Sequence, residues 1–119
     1  KKIISEIKNK KIKLICLAGF MRILSKEFIK SFKGKILNIH PSLLPKYKGL
    51  NTHQRAISNR EKYTGCTVHF VNSRLDSGKI ILQKKVKISK SDTVKSLAKK
   101  VLMQEHKLYP KAIRQVFSL

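Results

Sequence analysis

Two apolar runs, Lys13–Phe20 (KLICLAGF) and Lys35–His40 (KILNIH), flank an amphipathic stretch, and this pattern constrains the fold more than any other feature. Both runs are nearly continuous in apolar residues instead of alternating, as expected of strands buried on both faces in a parallel sheet. Between them Ser25 offers an N-cap before KEFIKSFK, a short helix closed by Gly34. Strand, helix and strand within about thirty residues is the size of a βαβ unit. The spacing predicts Lys13–Phe20 and Lys35–His40 as adjacent parallel strands in an α/β domain.

The rest of the chain fits that class. Ile3, Ile4 and Ile7 fall at helical spacing in Lys2–Asn9. Pro41–Asn51 carries Pro41, Pro45 and Gly49, and is an irregular loop long enough for a binding role. Thr52 is expected to cap a short helix through Asn59. Gly65–Val71 and Lys79–Ile88 read as strands on either side of the turn-rich stretch Asn72–Gly78. Asp92 is expected to cap a long helix whose apolar face holds Val94, Leu97, Ala98, Val101, Leu102, Leu108 and Ala112. Pro110 should kink or restart that helix, since it removes an N–H and clashes with the preceding turn. Nothing reads as a repeat or an interdomain linker, so a single domain is predicted.

Composition matters mainly for its charge. The 119 residues are 41% apolar, enough for an ordinary core, but 28 Lys+Arg against 6 Asp+Glu leave a net charge of +22. Such a balance raises the class of basic nucleic-acid-binding modules as an alternative to an enzyme. Only five of the basic residues are arginine, the side chain that reads phosphates and bases bidentately, and the lysines are spread along the whole chain. An AT-rich coding sequence, which enriches Lys and Ile together, accounts for the same pattern. Specific nucleic-acid binding is therefore not expected. The longest apolar run, Leu14–Met21, is far short of the roughly 18 residues that a membrane-spanning helix needs. Cys16 and Cys66 lie fifty residues apart in apolar segments, neither a CxxC pair nor a disulfide framework, so reduced thiols and a cytoplasmic location are expected.

Chemistry concentrates at the end of the second predicted strand. Asn38 and His40 are two apart and share a face, at the carboxyl end where open α/β sheets bind ligands. An amide N–H can donate to a carbonyl oxygen and an imidazole can move a proton near neutral pH. Asp76, in Leu-Asp-Ser-Gly, would orient that imidazole and raise its pKa. Together they form an acyl-transfer set without an enzyme nucleophile. The same residues also read as a capped loop start and an ordinary turn. His40, His53, His69 and His106 are spaced too irregularly for a zinc site, and no metal is expected. No nucleophile elbow, P-loop or dinucleotide fingerprint occurs.

Taken together, the segments resemble the folate-dependent formyltransferase family. The likeness is carried by Leu17–Leu24 (LAGFMRIL), Leu37–Gly49 (LNIHPSLLPKYKG), Thr52-His53, Gly65–Val71 (GCTVHFV), Leu75–Gly78 (LDSG) and Glu105–Pro110 (EHKLYP). It covers essentially the whole chain, in order. The HPSLLPKYKG run and the EHKLYP segment favour the branch that acts on 5-phosphoribosylglycinamide (GAR). The branches acting on methionyl-tRNA or hydrolysing formyltetrahydrofolate share the Asn-x-His and Leu-Asp-x-Gly elements and are the alternatives.

The resemblance implies a Rossmann-like formyltransferase fold with a mostly parallel sheet flanked by helices. It also implies transfer of a formyl group from 10-formyltetrahydrofolate, as co-substrate, to the GAR amine in purine biosynthesis. Asn38 would steady the carbonyl oxygen, His40 would donate a proton to the departing folate nitrogen, and Asp76 would support His40. Folate contacts would come from Met21, Arg22, Ile23, Leu24 and Asn38, and from Asn72, Ser73, Arg74, Leu75 and Asp76. GAR contacts would come from Leu102, Met103, Gln104 and Glu105, where Leu102 departs from the polar residue expected. The family opens with a strand and a Gly/Ser-rich loop that holds the substrate phosphate at a helix N-terminus. Nothing like it precedes Lys1. The expectation is that residues 1–119 are the C-terminal part of a single formyltransferase domain, poorly stable and nearly inactive by themselves.

Overall fold

A computed structural model of the chain describes residues 14–18, 35–72 and 77–117. Its strands are β1 (Leu14–Ala18), β2 (Lys35–His40), β3 (Tyr63–Phe70) and β4 (Ile80–Lys87). Two helices accompany them, α1 (Thr52–Ser58) and α2 (Val94–Phe117). The strands form one sheet in the order β1-β2-β3-β4. β1 and β2 are parallel, with Leu17 opposite Asn38, as the two apolar runs predict. The helices expected before β1 and between β1 and β2 lie outside the described residues.

The α/β class is as expected, and beside the parallel pair the sheet also carries antiparallel strands. Within the described residues β2 pairs antiparallel with β3, and β3 antiparallel with β4. The reason is where the connections run, since residues 41–62 between β2 and β3 would be long enough for a crossover. A parallel return needs a crossover of a dozen or more residues that climbs back along the sheet. The loop and α1 after β2 leave the chain at the end where β2 finishes, and the short stretch after β3 does the same.

Two-residue alternation gives the sheet two unlike faces. Leu37 and Ile39 of β2, Cys66 and Val68 of β3 and Val86 of β4 pack with Leu97, Val101, Leu108 and Ala112 of α2. This is the core. The opposite face carries Asn38 and His40, and across the antiparallel joint His69 and Thr67, all of them buried. One face therefore stabilises the domain and the other is polar.

The helix ends correct two cap assignments. Asn51, not Thr52, occupies the cap of α1, in the left-handed region at φ 57°, and Thr52 is buried as the first helical residue. Thr93, not Asp92, caps α2: its Oγ1 accepts from the Ser96 N–H (3.1 Å), and its own N–H donates to Ser96 Oγ (2.9 Å). Asp92, one residue earlier, accepts from Ser89 N–H, Ser96 Oγ and Lys100 Nζ. The Lys100 ammonium and these donors hold its carboxyl down to about 2. Nor does the chain restart at Pro110, since α2 runs through it as one helix. His106, whose carbonyl loses its helical donor there, and Pro110 itself both face solvent. Among the described residues no helix is long and apolar enough to cross a membrane.

Candidate active site

The polar face converges at the carboxyl end of β2. Asn38 is 5% exposed and His40 1%, and burying polar side chains that deeply is costly unless they are partnered. Asn38 Nδ2 lies 3.3 Å from His69 Nε2, and His69 Nδ1 lies 2.9 Å from the Phe70 carbonyl oxygen. A carbonyl only accepts, so Nδ1 carries the proton and Nε2 of the neutral ring accepts from the Asn38 amide. His69 thereby fixes which way the amide points. One amide N–H is held by His69, the second remains to donate, and Oδ1 is buried with no hydrogen-bond partner among the described residues. An orphaned acceptor costs about 1–3 kcal/mol, and at a ligand site it marks where a donor is to come from.

His40 is fixed by the loop that follows it. Its Nε2 donates to the Tyr47 carbonyl oxygen at 2.8 Å, so a proton that the ring exchanges in a reaction is carried at Nδ1. The loop is seated on β3 by Thr67, whose hydroxyl donates to Ser42 O (2.7 Å) and accepts from Leu44 N–H (3.1 Å) and Gln83 Nε2 (3.0 Å). Gln83 also donates to Leu44 O at 2.9 Å. Beside this cluster the β3–β4 register slips between Val68 and His69. Such a bulge re-aims side chains next to a site.

The structure brings together Asn38 and His40 as predicted, and adds His69, Thr67 and Tyr47, which sequence reasoning missed as site residues. The antiparallel pairing of β2 with β3 puts His69 and Thr67 opposite the pair, and no local motif announces that. His53 is a further addition. Burial, and then the nearby charge of His40, lower its pKa. Of the other predicted residues, Asn72 is half-buried just past β3. Met21, Arg22, Ile23, Leu24, Ser73, Arg74, Leu75 and Asp76 lie outside the described residues, and so does the expected approach of Asp76 to His40.

Leu102–Glu105 belong to α2, which covers the other face of the sheet. Leu102 (48%) and Met103 (60%) are exposed. Glu105 is half-buried at helical spacing with Val101, Leu108 and Ala112, a carboxylate in an otherwise apolar stripe. Tyr109, one turn on, donates to the Leu37 carbonyl at 3.1 Å and ties α2 to β2 beside Asn38. Burial pushes the Glu105 carboxyl up to about 7 from 4.5. The folded state therefore holds a proton that the unfolded chain releases, and stability from this group falls as pH rises from 4.5 to about 7. Glu105→Gln is expected to flatten that slope and raise the melting temperature at pH 8. Thermal melts of the full-length protein between pH 4.5 and 8 check this, and a wild-type stability that rises across the window because of Glu105 contradicts it.

Residues 1–113 match the family described as Formyl transferase. The chain is 51% identical over 107 residues, 90% of its length, to the trifunctional purine biosynthetic protein adenosine-3 of Homo sapiens, of which the match covers 11%. It is 52% identical over 103 residues, 87% of its length, to the phosphoribosylglycinamide formyltransferase of Haemophilus influenzae, of which the match covers 49%. The crystal structure of phosphoribosylglycinamide formyltransferase from Anaplasma phagocytophilum superposes with a TM-score of 0.90 at 43% identity, over 97% of this chain and 55% of that one. The Rossmann-like fold is shared with these enzymes, and the chain spans about half the length of the bacterial ones.

Proposed function

Because the chain belongs to the formyl transferase family, we propose that the protein carrying it transfers a formyl group from 10-formyltetrahydrofolate to the amine of GAR. The observation that carries this reading is the Asn38 amide, buried, turned by His69 and left with one N–H and the unpartnered Oδ1. The remaining N–H serves the formyl oxygen, which gains negative charge as the amine adds to the formyl carbon. Oδ1 accepts an N–H of the attacking amine. As the new C–N bond forms and the bond to the folate nitrogen breaks, His40 delivers a proton to that nitrogen from Nδ1, and the proton shed by the amine nitrogen passes to solvent water, which recharges the ring. No metal enters the scheme.

Asp76 is assigned as the carboxylate that supports the charged form of His40. We assign folate contacts to Met21–Leu24, Asn38 and Asn72–Asp76, and GAR contacts to Leu102–Glu105, with Glu105 the principal one. The chain contributes this part of a single formyltransferase domain. Its expected location is the cytoplasm, in keeping with a buried Cys66 thiol that burial pushes up to about 12.

The test supplies full-length protein and 10-formyltetrahydrofolate with GAR, with methionyl-tRNA, or with neither. Equimolar formyl-GAR and tetrahydrofolate, formed only in the first reaction, are expected. Formylated tRNA, or formate released without an acceptor, would overturn the reading.

A further inference from the structure

The Tyr47 carbonyl that holds His40 belongs to a backbone that has to be forced into place. Tyr47 sits at φ 56°, the left-handed region that costs a residue with a bulky side chain about 1–2 kcal/mol. Such a conformation persists only where its surroundings over-determine it. Within the loop, Ser42 Oγ donates to Lys46 O (2.6 Å) and Tyr47 O (3.3 Å), and further restraints come from α1 and the turn that ends it. Tyr47 Oη donates to Glu61 Oε2 (2.8 Å) and accepts from Asn59 Nδ2 (3.0 Å). Arg55 Nη1 and Nη2 both donate to the next carbonyl, Lys48 O (2.9 and 2.6 Å), with the guanidinium 5.2 Å from the Tyr47 ring centre.

The end of α1 sets the position of these groups. Arg60 N–H donates to Ile57 O (3.0 Å) and Glu61 N–H to Ala56 O (3.1 Å), with Arg60 at φ 52°. This is a Schellman turn that leaves Glu61 facing the loop. The Glu61 carboxyl is held below its ordinary range by the Tyr47 hydroxyl and the Lys46 ammonium.

We propose that Glu61 and the Tyr47 side chain are positioning residues: through the Tyr47 carbonyl, they set the ring orientation and the Nε2–H tautomer of His40. This rests on the reading of His40 as the proton carrier. Neither residue touches the reacting atoms.

The test compares full-length wild type with Glu61→Ala, Glu61→Gln and Tyr47→Phe, by steady-state kinetics and by ¹⁵N NMR of the His40 ring. Misplacing a catalytic group by about 1 Å can cost on the order of 100-fold, so Glu61→Ala and Tyr47→Phe are expected to lower kcat roughly 10- to 100-fold. KM for both substrates should hold, and the His40 Nε2–H signal should be lost or mixed. Glu61→Gln keeps an acceptor for Tyr47 Oη. It is expected to stay within about five-fold of wild type, since the ion pair to the exposed Lys46 that it removes is worth little.

If Glu61→Ala fails to fold, Tyr47→Phe, which loses one oxygen atom, decides the question. An unchanged His40 tautomer with unchanged kcat in Tyr47→Phe overturns the inference. Absence of formyl transfer by the wild type overturns the functional reading instead, and the NMR signal still reports whether the clamp holds His40.

Discussion

Replacing Asn38 or His40 by Ala in the full-length protein is expected to lower formyl transfer by roughly 100- to 1000-fold, the usual loss when a donor to a developing oxyanion is removed. Asn38→Ala deletes both the donor to the formyl oxygen and the acceptor for the amine. Its effect on stability should be small. The variant forfeits a hydrogen bond to His69 that is already long at 3.3 Å, but it also removes the orphaned, buried Oδ1. His40→Ala takes the shorter of two donors from the Tyr47 carbonyl, leaving Ser42 Oγ at 3.3 Å, and opens a small cavity, so its melting temperature should fall further. Rates are therefore compared well below either melting point. Near-normal turnover in either variant would refute the roles assigned here.

The second large effect is on the fold. A Cβ added at Gly65 would lie 2.0 Å from the Lys84 carbonyl oxygen and 2.7 Å from Leu43 Cδ2. The leucine can move, but the carbonyl belongs to the neighbouring strand, so β3 and β4 must part. Overpacking costs about 1–3 kcal/mol even where side chains can yield, and here the obstacle is backbone. Gly65→Ala is expected to lower the melting temperature by about 10 °C or more, and to lift the loop that Thr67 and Gln83 seat over His40. Thr64→Ala, next door, is the control. It removes a buried hydroxyl that has no partner among the described residues, and it should stay within about 1 kcal/mol of wild type. Equal melting temperatures for Gly65→Ala and wild type would mean that the two strands are not packed as described.

Much of this was legible in the sequence, for reasons that vary by segment. KILNIH shows its own bounds, Lys35–His40, because a lysine opens the apolar run and Pro41 closes it. β3 began two residues earlier than expected, at Tyr63. Its apolar pattern starts at Gly65, but Tyr63 and Thr64 still pair with Lys87 and Val86, and a ladder extends as far as its partner does. The caps slipped by one residue, at Asn51 and Thr93. Several residues around each helix start can serve as caps, and only the first helical hydrogen bond selects among them.

What the sequence determined by itself was local: an α/β chain, two parallel neighbours, and Asn38 and His40 on one face because they are two apart in a strand. These follow from backbone periodicity and need no partner. The tertiary structure decided what periodicity cannot reach. The direction of β3 set His69 against Asn38 and Thr67 against His40. The turn at the end of α1 carried Glu61 to Tyr47 across fourteen residues. Asn38 has a defined amide orientation and His40 a defined tautomer because hydrogen bonds distant in sequence impose them, and such bonds exist only once the strands have paired.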